Sequence, residues 1–398
     1  MDNKELLEKA VITAEALASG GKLPPATADK FIQLTFDLTT LKNHIRTVTF
    51  KPEEYKIPKI GIGRRVAMPK PASATQVRRG VSTGEIVLHP VEIIVPFEIG
   101  DSFLELNIEG ENVEDTIVRL MATQLANDLE ELYIYGDELG HADWESNLVD
   151  DGANDKVIVD SYLKLIDGWL TLSQSGHLVD ASWETFSPTL ISEMIMAMPN
   201  KWKRNRADLR LFVSPELEQV LRDKLGQRAT AGGDRALTES EPLKIYGIPV
   251  VPVPILGLYP KVVEHVTLSG TDDVSLKFNH ILTNSEIVAP SDLGSTPTSP
   301  YEKETDYTID YTAGTIARVD GGGISDGATV KVTYQASPVA ILTPNKNFLV
   351  GISREVRVEK DRDIYAGTNQ FAITCKVDAE IEETDAVVMA LNISPALS

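Results

Sequence analysis

The sequence predicts an α+β fold in which one long helix lies beside extended strands, an α/β unit follows, and a small all-β unit is inserted before the host fold resumes. Three observations carry that expectation. Asn107 to Asp137, NIEGENVEDTIVRLMATQLANDLEELYIYGD, reads as one long acidic helix placed directly after a strand-like run. Phe186 to Leu256 switches between helical and strand periodicity as a compact α/β unit does. Residues 263 to 337 are rich in Ser, Thr, Gly and Asp and alternate apolar with polar positions.

In chain order, residues 4 to 19 predict an acidic amphipathic helix with Leu6, Leu7, Ala10, Ala14 and Leu17 on its apolar side, stopped by Gly20 and Gly21. After Pro24 and Pro25, Thr27 to Arg46 predicts a second helix whose face of Phe31, Ile32, Leu34, Leu38, Leu41 and Ile45 needs an outside cover. Tyr55 to Asp101 reads as extended, with Ile57, Ile60, Ile62 and a β-branched run from Ile86 to Ile99 around a polar tip, Pro69 to Gly84. A two-stranded arm of this kind is marginal alone, so it should lie on another surface, such as a neighbouring subunit.

The long helix has both ends written locally: Asn112 as N-cap, Glu114 and Asp115 in the first turn, and Gly136 after the last periodic residue. Val118, Met121, Leu125, Leu129 and Leu132 form its buried stripe, with Asp128, Glu130 and Glu131 on the wet side. Glu114 to Tyr135 would span about 33 Å, enough for a spine. Beyond a polar stretch from Asp137 to Lys156, a further helix is expected over Lys156 to Leu172 from Leu163, Ile166 and Leu170. Ser187 and Pro188 open a helix, Leu209 to Val213 is a strand, Ser214 and Pro215 start another helix, and Lys244 to Pro254 closes the unit. Within the inserted unit, Tyr307, Ile309, Tyr311, Ile316, Val330, Val332 and Tyr334 alternate around a Gly321–Gly323 turn. The host resumes at Ala340 and ends in two strands, Gln370 to Ile381 and Ala386 to Ile393; the first places Phe371, Ile373, Cys375, Val377, Ala379 and Ile381 on one face.

Composition narrows the function classes. The chain has 398 residues, 42% of them hydrophobic, enough for more than one core. No apolar run reaches a membrane span and the N-terminus lacks an apolar leader core, so the expected setting is a cytosol. One cysteine, Cys375, excludes an internal disulfide framework and a multi-thiolate zinc site. A balance of 38 Lys+Arg against 59 Asp+Glu, formally −21, repels phosphate backbones and argues against general nucleic-acid binding.

Candidate chemistry is thin. The six histidines, His44, His89, His141, His177, His265 and His280, show no ligand spacing. Asp150, Asp151 and Asp155 lack the spacing of a calcium loop, and Gly61 and Gly63 in IGIGRR are too few for a phosphate cradle. No catalytic residue, cofactor or metal is expected. Arg64, Arg65, Arg78 and Arg79, in the extended arm of an acidic chain, are the intersubunit contact candidates, because they can pair with acidic surfaces of neighbours. Lys201, Lys203, Arg204 and Arg206 in KWKRNR read as a solvated loop, and Cys375 as a core residue.

The order of elements resembles the tailed-phage major capsid proteins of the HK97-type fold. The motifs that carry the match are KIGIGRR at Lys59, VEIIVPFEI at Val91, the long helix from Asn107, and VEKDRDIYAGTNQFAITCKVDAEIEETDAVVMALNI at Val358. The resemblance implies an N-terminal arm over 1–54 and an E-loop over 55–101. It implies a P-domain over 102–185 with its spine helix at 112–136, and an A-domain over 186–262. An inserted all-β, Ig-like domain over 263–337 and a return to the A- and P-domain strands over 338–398 complete the layout. It implies self-assembly through pentamers and hexamers into an icosahedral head around double-stranded DNA, without sequence-specific binding and with no membrane partner. A scaffolding protein, a portal and a decoration protein would be the partners, with assembly in the host cytoplasm and the virion as destination. Some members crosslink an E-loop lysine to a neighbour's asparagine; Lys70 and Asn392 are available, but nothing around them selects them. The alternatives are an encapsulin-like nanocompartment shell and a carbohydrate-binding or adhesin protein built on the 263–337 unit.

Overall fold

The structure is a computed structural model that describes residues 11–12, 41–52, 54–61, 82–101, 112–144, 156–227 and 242–396. Along the chain, β1 (Val11–Ile12), β2 (Arg46–Thr49), β3 (Tyr55–Gly61), β4 (Ser82–Leu88) and β5 (Val91–Gly100) precede the spine helix α1 (Asn112–Tyr135). There follow β6 (Ala142–Trp144), β7 (Val157–Val159), α2 (Trp169–Ser173), β8 (His177–Asp180), α3 (Pro188–Ala197), β9 (Leu209–Val213), α4 (Pro215–Gly226), β10 (Lys244–Ile245) and β11 (Ile248–Pro252). The all-β stretch holds β12 (Lys261–Leu268), β13 (Val274–Ser275), β14 (Ile287–Pro290), β15 (Tyr307–Asp310), β16 (Thr315–Arg318) and β17 (Ala328–Gln335). The chain closes with β18 (Ala340–Pro344), β19 (Phe348–Asp363), β20 (Thr368–Ile381) and β21 (Val388–Leu391).

The spine helix packs on a five-stranded sheet ordered β1-β5-β20-β19-β2. The alternation in β20 does what its sequence dictates: Phe371, Ile373, Cys375, Val377, Ala379 and Ile381 are all buried. Register pairs Phe371 with Phe97 of β5, and the two rings stack at 5.0 Å. Trp169 of α2 joins the layers, lying 5.6 Å from Tyr133 of the helix and 4.7 Å from Phe348 of β19, with its Nε1 donating to the Glu380 carbonyl. Gly136, the first residue past the helix, has to be glycine, because a Cβ there would sit 2.4 Å from the Ile166 carbonyl oxygen.

A six-stranded sheet, β10-β11-β9-β18-β21-β8, forms the α/β unit. Its β8-α3-β9 and β9-α4-β11 connections both link parallel strands, and the right-handed rule puts both helices on one face. Leu211, Val213, Leu342, Val388 and Ala390 accordingly share a core with Leu190, Ile191, Met194, Leu217 and Leu221. Phe212, Ile341 and Met389 face the other way, into the core that holds Trp169 and Phe348. Ser214 caps α4 by accepting from the Leu217 amide, with Pro215 as first helical residue, as its sequence predicts.

The all-β stretch forms two three-stranded antiparallel sheets, β12-β17-β14 and β13-β16-β15, around Phe278, Val288, Ile316, Val332 and Tyr334. Its joint with the α/β unit centres on buried Asn392. The Asn392 Oδ1 accepts from the Asn279 amide and the Ser337 hydroxyl, and its Nδ2 donates to Asp180.

Several expectations need correction. Most of residues 4 to 19 and 27 to 46 lies outside the described residues, but Val11–Ile12 pairs as a parallel strand with Glu98 and Ile99, not as a helix. Leu41–Asn43 is a 3-10 turn and Arg46–Thr49 a strand beside Leu349 to Ile352. Here the β-branched Thr47, Val48 and Thr49 and a long-range partner override local helical spacing. The expected helix over Lys156 to Leu172 is a strand, a turn held by Asp160 Oδ1 on the Tyr162 and Leu163 amides, and only the short α2. The β-branched run Val157 to Val159 favours the strand, and Gly168 approaches Gly136 too closely for continued helix. The polar stretch before it contains β6, which pairs with β7. The run from Ile86 to Ile99 breaks at His89 and Pro90, where proline cannot donate to a ladder. Asn112 is the first residue of the helix itself. Glu130 is buried on the spine, where its Oε1 accepts from the Leu41 amide at 3.0 Å; the tertiary partner reverses its expected exposure.

Candidate assembly interface

The arm predicted from Tyr55 onward is a two-stranded ribbon, β3 against β4, with Tyr55 opposite Leu88 and Gly61 opposite Ser82. Its root is anchored. Leu88, Phe50 and Leu349 form a small buried cluster, and Phe50 stacks on Tyr55 at 4.9 Å. Gly351 makes room for it: a Cβ there would lie 2.9 Å from the Phe50 ring and 3.0 Å from Leu88. Farther out Ile57 and Ile86 continue the apolar face, while the ribbon's charged side chains pair, Lys56 with Glu85 at 3.1 Å and Lys59 with Glu383 at 3.5 Å. Neither β3 nor β4 has a further strand partner among the described residues, which leaves a ribbon that is marginal by itself. The four arginines Arg64, Arg65, Arg78 and Arg79 and Lys70 lie outside the described residues, as does most of the expected tip from Pro69 to Gly84, whose end from Ser82 to Gly84 is strand, the start of β4. Asn392 is buried, with its amide oxygen accepting two hydrogen bonds and its amide nitrogen donating to Asp180, which makes it a poor crosslinking group.

A second exposed feature is the far end of the β19–β20 hairpin. Ile364 is 82% and Tyr365 104% exposed, held in a tight turn where the Asp363 carboxylate accepts from the amides of Tyr365 and Ala366. Behind the tip, Val356 and Val358 are half exposed, interleaved with charges such as Arg354 on Glu92 and Arg362 on Asp101. Sequence reasoning missed this tip. Its only signal is the apolar pair Ile364–Tyr365 inside the charged run EKDRDIYAG.

The buried titratable groups serve cohesion. Lys331 of β17 is 2% exposed and its Nζ donates to the Leu139 and Gly140 carbonyls, at 2.5 and 3.0 Å, just past the spine helix. Burial lowers its pKa. His141 is buried beside it, with Nε2 on the Tyr135 carbonyl, and burial pushes its pKa down to about 4. Tyr334 donates to Glu264 at 2.6 Å, and burial, then that carboxylate, holds its phenol well above the usual value. The Lys331 contact fastens the all-β stretch to the turn after the spine helix, His141 ties that turn back to the helix end, and the Tyr334–Glu264 bond joins β17 to β12 within the stretch. Burial also raises the pKa of Cys375, which is a core residue as its strand position predicts.

None of this resembles a reaction centre. An apolar cavity lined by Leu41, Ile134, Trp169, Phe212, Ile341 and Phe348 offers no convergent polar groups. Among the described residues no group of three His, Cys, Asp or Glu is placed to hold a metal, and no helix is long and apolar enough to cross a membrane. Asp150, Asp151 and Asp155 lie outside the described residues. His44 packs on Phe212, His280 stacks on Trp183 at 4.1 Å, and His177 lies 4.0 Å from Asp385, so the histidines are dispersed.

A long helix on a sheet, an anchored ribbon arm and a projecting hairpin define a shell-subunit fold, and comparison with known proteins agrees. No family model matches the chain. It is 26% identical over 396 residues, 99% of both chains, to YqbE of Bacillus subtilis (strain 168), named as a prophage capsid protein. Among solved structures, it superposes with TM-score 0.51 on the capsid of a native GTA particle, at 12% identity over 96% of this chain and 99% of that one. It superposes equally well, TM-score 0.51, on a chain from Mycobacterium phage Che8, at 9% identity over 93% and 97% of the two chains. The fold is that of the HK97-type capsid proteins. The chain is a structural capsid protein of the tailed-phage kind.

Proposed function

We propose that this chain is the major capsid protein of a tailed phage or prophage, self-assembling into an icosahedral head shell that encloses double-stranded DNA. The observation that carries this is the end-to-end relationship with a prophage capsid protein, joined to a fold whose arm has no further strand partner among the described residues. The net charge of −21 suits a wall that must not adhere to packaged DNA.

In this reading residues 1–54 form the N-terminal arm, 55–101 the E-loop, 102–185 the P-domain, 186–262 the A-domain and 338–398 their returning strands. The 263–337 stretch is an Ig-like inserted domain. Arg64, Arg65, Arg78 and Arg79 pair with acids of a neighbouring subunit across which the E-loop lies. The apolar tip, Ile364 and Tyr365, is covered by another copy of the P-domain. A scaffolding protein and a portal accompany assembly in the host cytoplasm, and the exposed face of the inserted domain is available to a decoration protein. Negative-stain electron microscopy of the purified protein, alone and with a scaffolding protein, tests the reading. Closed shells, or rings of five and six, are expected; dispersed monomers under both conditions would refute it.

A further inference from the structure

We propose that the sheet edge bearing Met196, Arg204, Arg206, Lys244 and Tyr246 is an attractive contact surface for a second copy of this chain, separate from the arm. The inference rests on the shell reading above and assigns one of its interfaces.

Topology brings these residues together. β8, β9 and β11 run parallel, so they start at the same edge of the six-stranded sheet. The loop ahead of β9 carries Arg204 and Arg206, and its short 3-10 turn, Arg206–Asp208, abuts β11. The turn ahead of β11 is Tyr246–Gly247, one strand spacing away, about 5 Å. Lys203 Nζ donates to the Met196 carbonyl at 2.7 Å, which brings the last turn of α3 to the same edge, and Lys201 pairs with Asp385 at 2.8 Å to pin the loop.

Three features mark this edge as unfinished. Arg204, Arg206 and Lys244 are exposed, and no hydrogen bond or ion pair engages their charged ends among the described residues. Met196 is 73% and Tyr246 48% exposed. Tyr246 has φ +52 and Gly247 φ +83, so the two central residues of this hairpin turn are both left-handed. Such turns favour Asn, Asp or Gly at the position of Tyr246. An aromatic ring held there at a conformational cost and left half exposed is explained by a contact.

The occupant follows from charge. Each copy carries 59 acidic against 38 basic residues, so copies repel over most of their surface. Uncommitted cations beside apolar side chains are where a second acidic copy is drawn in and fixed in register. Full-length wild type, Arg204→Glu/Arg206→Glu and Tyr246→Asn would be compared by light scattering and electron microscopy in 50 and 300 mM salt, with a thermal melt as fold control. The arginine variant should melt with wild type and Tyr246→Asn at the same temperature or higher, both should assemble at least tenfold more slowly or less completely, and the salt sensitivity of wild type should shrink in the arginine variant. Normal assembly by both folded variants overturns the proposal alone. A wild type that never assembles overturns the shell reading and this contact with it.

Discussion

Replacing Ile364 and Tyr365 with serine should leave the subunit intact and cripple its association. Both side chains are almost wholly exposed, at 82% and 104%, so their loss removes little from the monomer. Covered by a neighbour, each would contribute about 1.5–3 kcal/mol of apolar burial. Ordering each side chain costs about 0.5–1.5 kcal/mol, which leaves a net of about 2–3 kcal/mol per contact. At a tenfold change for each 1.4 kcal/mol, the dissociation constant of that contact should rise about 30- to 140-fold. The assay is the critical concentration for assembly, by light scattering and sedimentation, with urea unfolding of the unassembled subunit as control. A critical concentration within about threefold of wild type, with the melting curve unchanged, would refute the claim that a neighbour covers this tip.

The remaining expectations concern the subunit itself. Trp169→Ala empties a site shared by the spine helix and β19 and should cost about 3–5 kcal/mol in urea unfolding; a loss under 1 kcal/mol would contradict the packing role. Gly351→Ala forces a methyl against Phe50 and Leu88 and should cost about 1–3 kcal/mol locally, read as faster proteolysis between residues 54 and 88. His141 is buried neutral, with a folded pKa of about 4 below the ordinary 6.5, so the unfolded chain binds its proton first as pH falls. Its stabilising contribution is complete above pH 6.5 and is lost as pH falls towards 4, by about 3 kcal/mol; His141→Gln should flatten that part of the urea-midpoint profile.

What the sequence made legible follows from how local each signal is. The spine helix stops just before Gly136, the alternation of Phe371 to Ile381 puts its apolar side chains on one buried face although Thr374 and Asp378 of the other face are covered too, and Ser214 and Pro215 open α4 as capping chemistry requires. The failures are tertiary. Nothing near Glu130 or Lys331 announces that distant backbone groups, the Leu41 amide and the Leu139 and Gly140 carbonyls, will draw each into the interior. The helical spacing of Leu163, Ile166 and Leu170 is real, but those side chains reach the core from a turn and a five-residue helix, because Gly168 must lie against Gly136. The assembly surface was legible only as an arm needing support; the exposed tip at Tyr365 and the left-handed Tyr246 require coordinates to be seen.

The central claim is that this subunit folds alone but is completed only by its neighbours. Deleting Pro69 to Gly84, which shortens the arm and leaves its anchored root of Phe50, Leu88 and Leu349 in place, tests it most directly. Electron microscopy with a parallel thermal melt should show a folded subunit that forms no closed shells. Normal shells from the shortened chain would contradict the account.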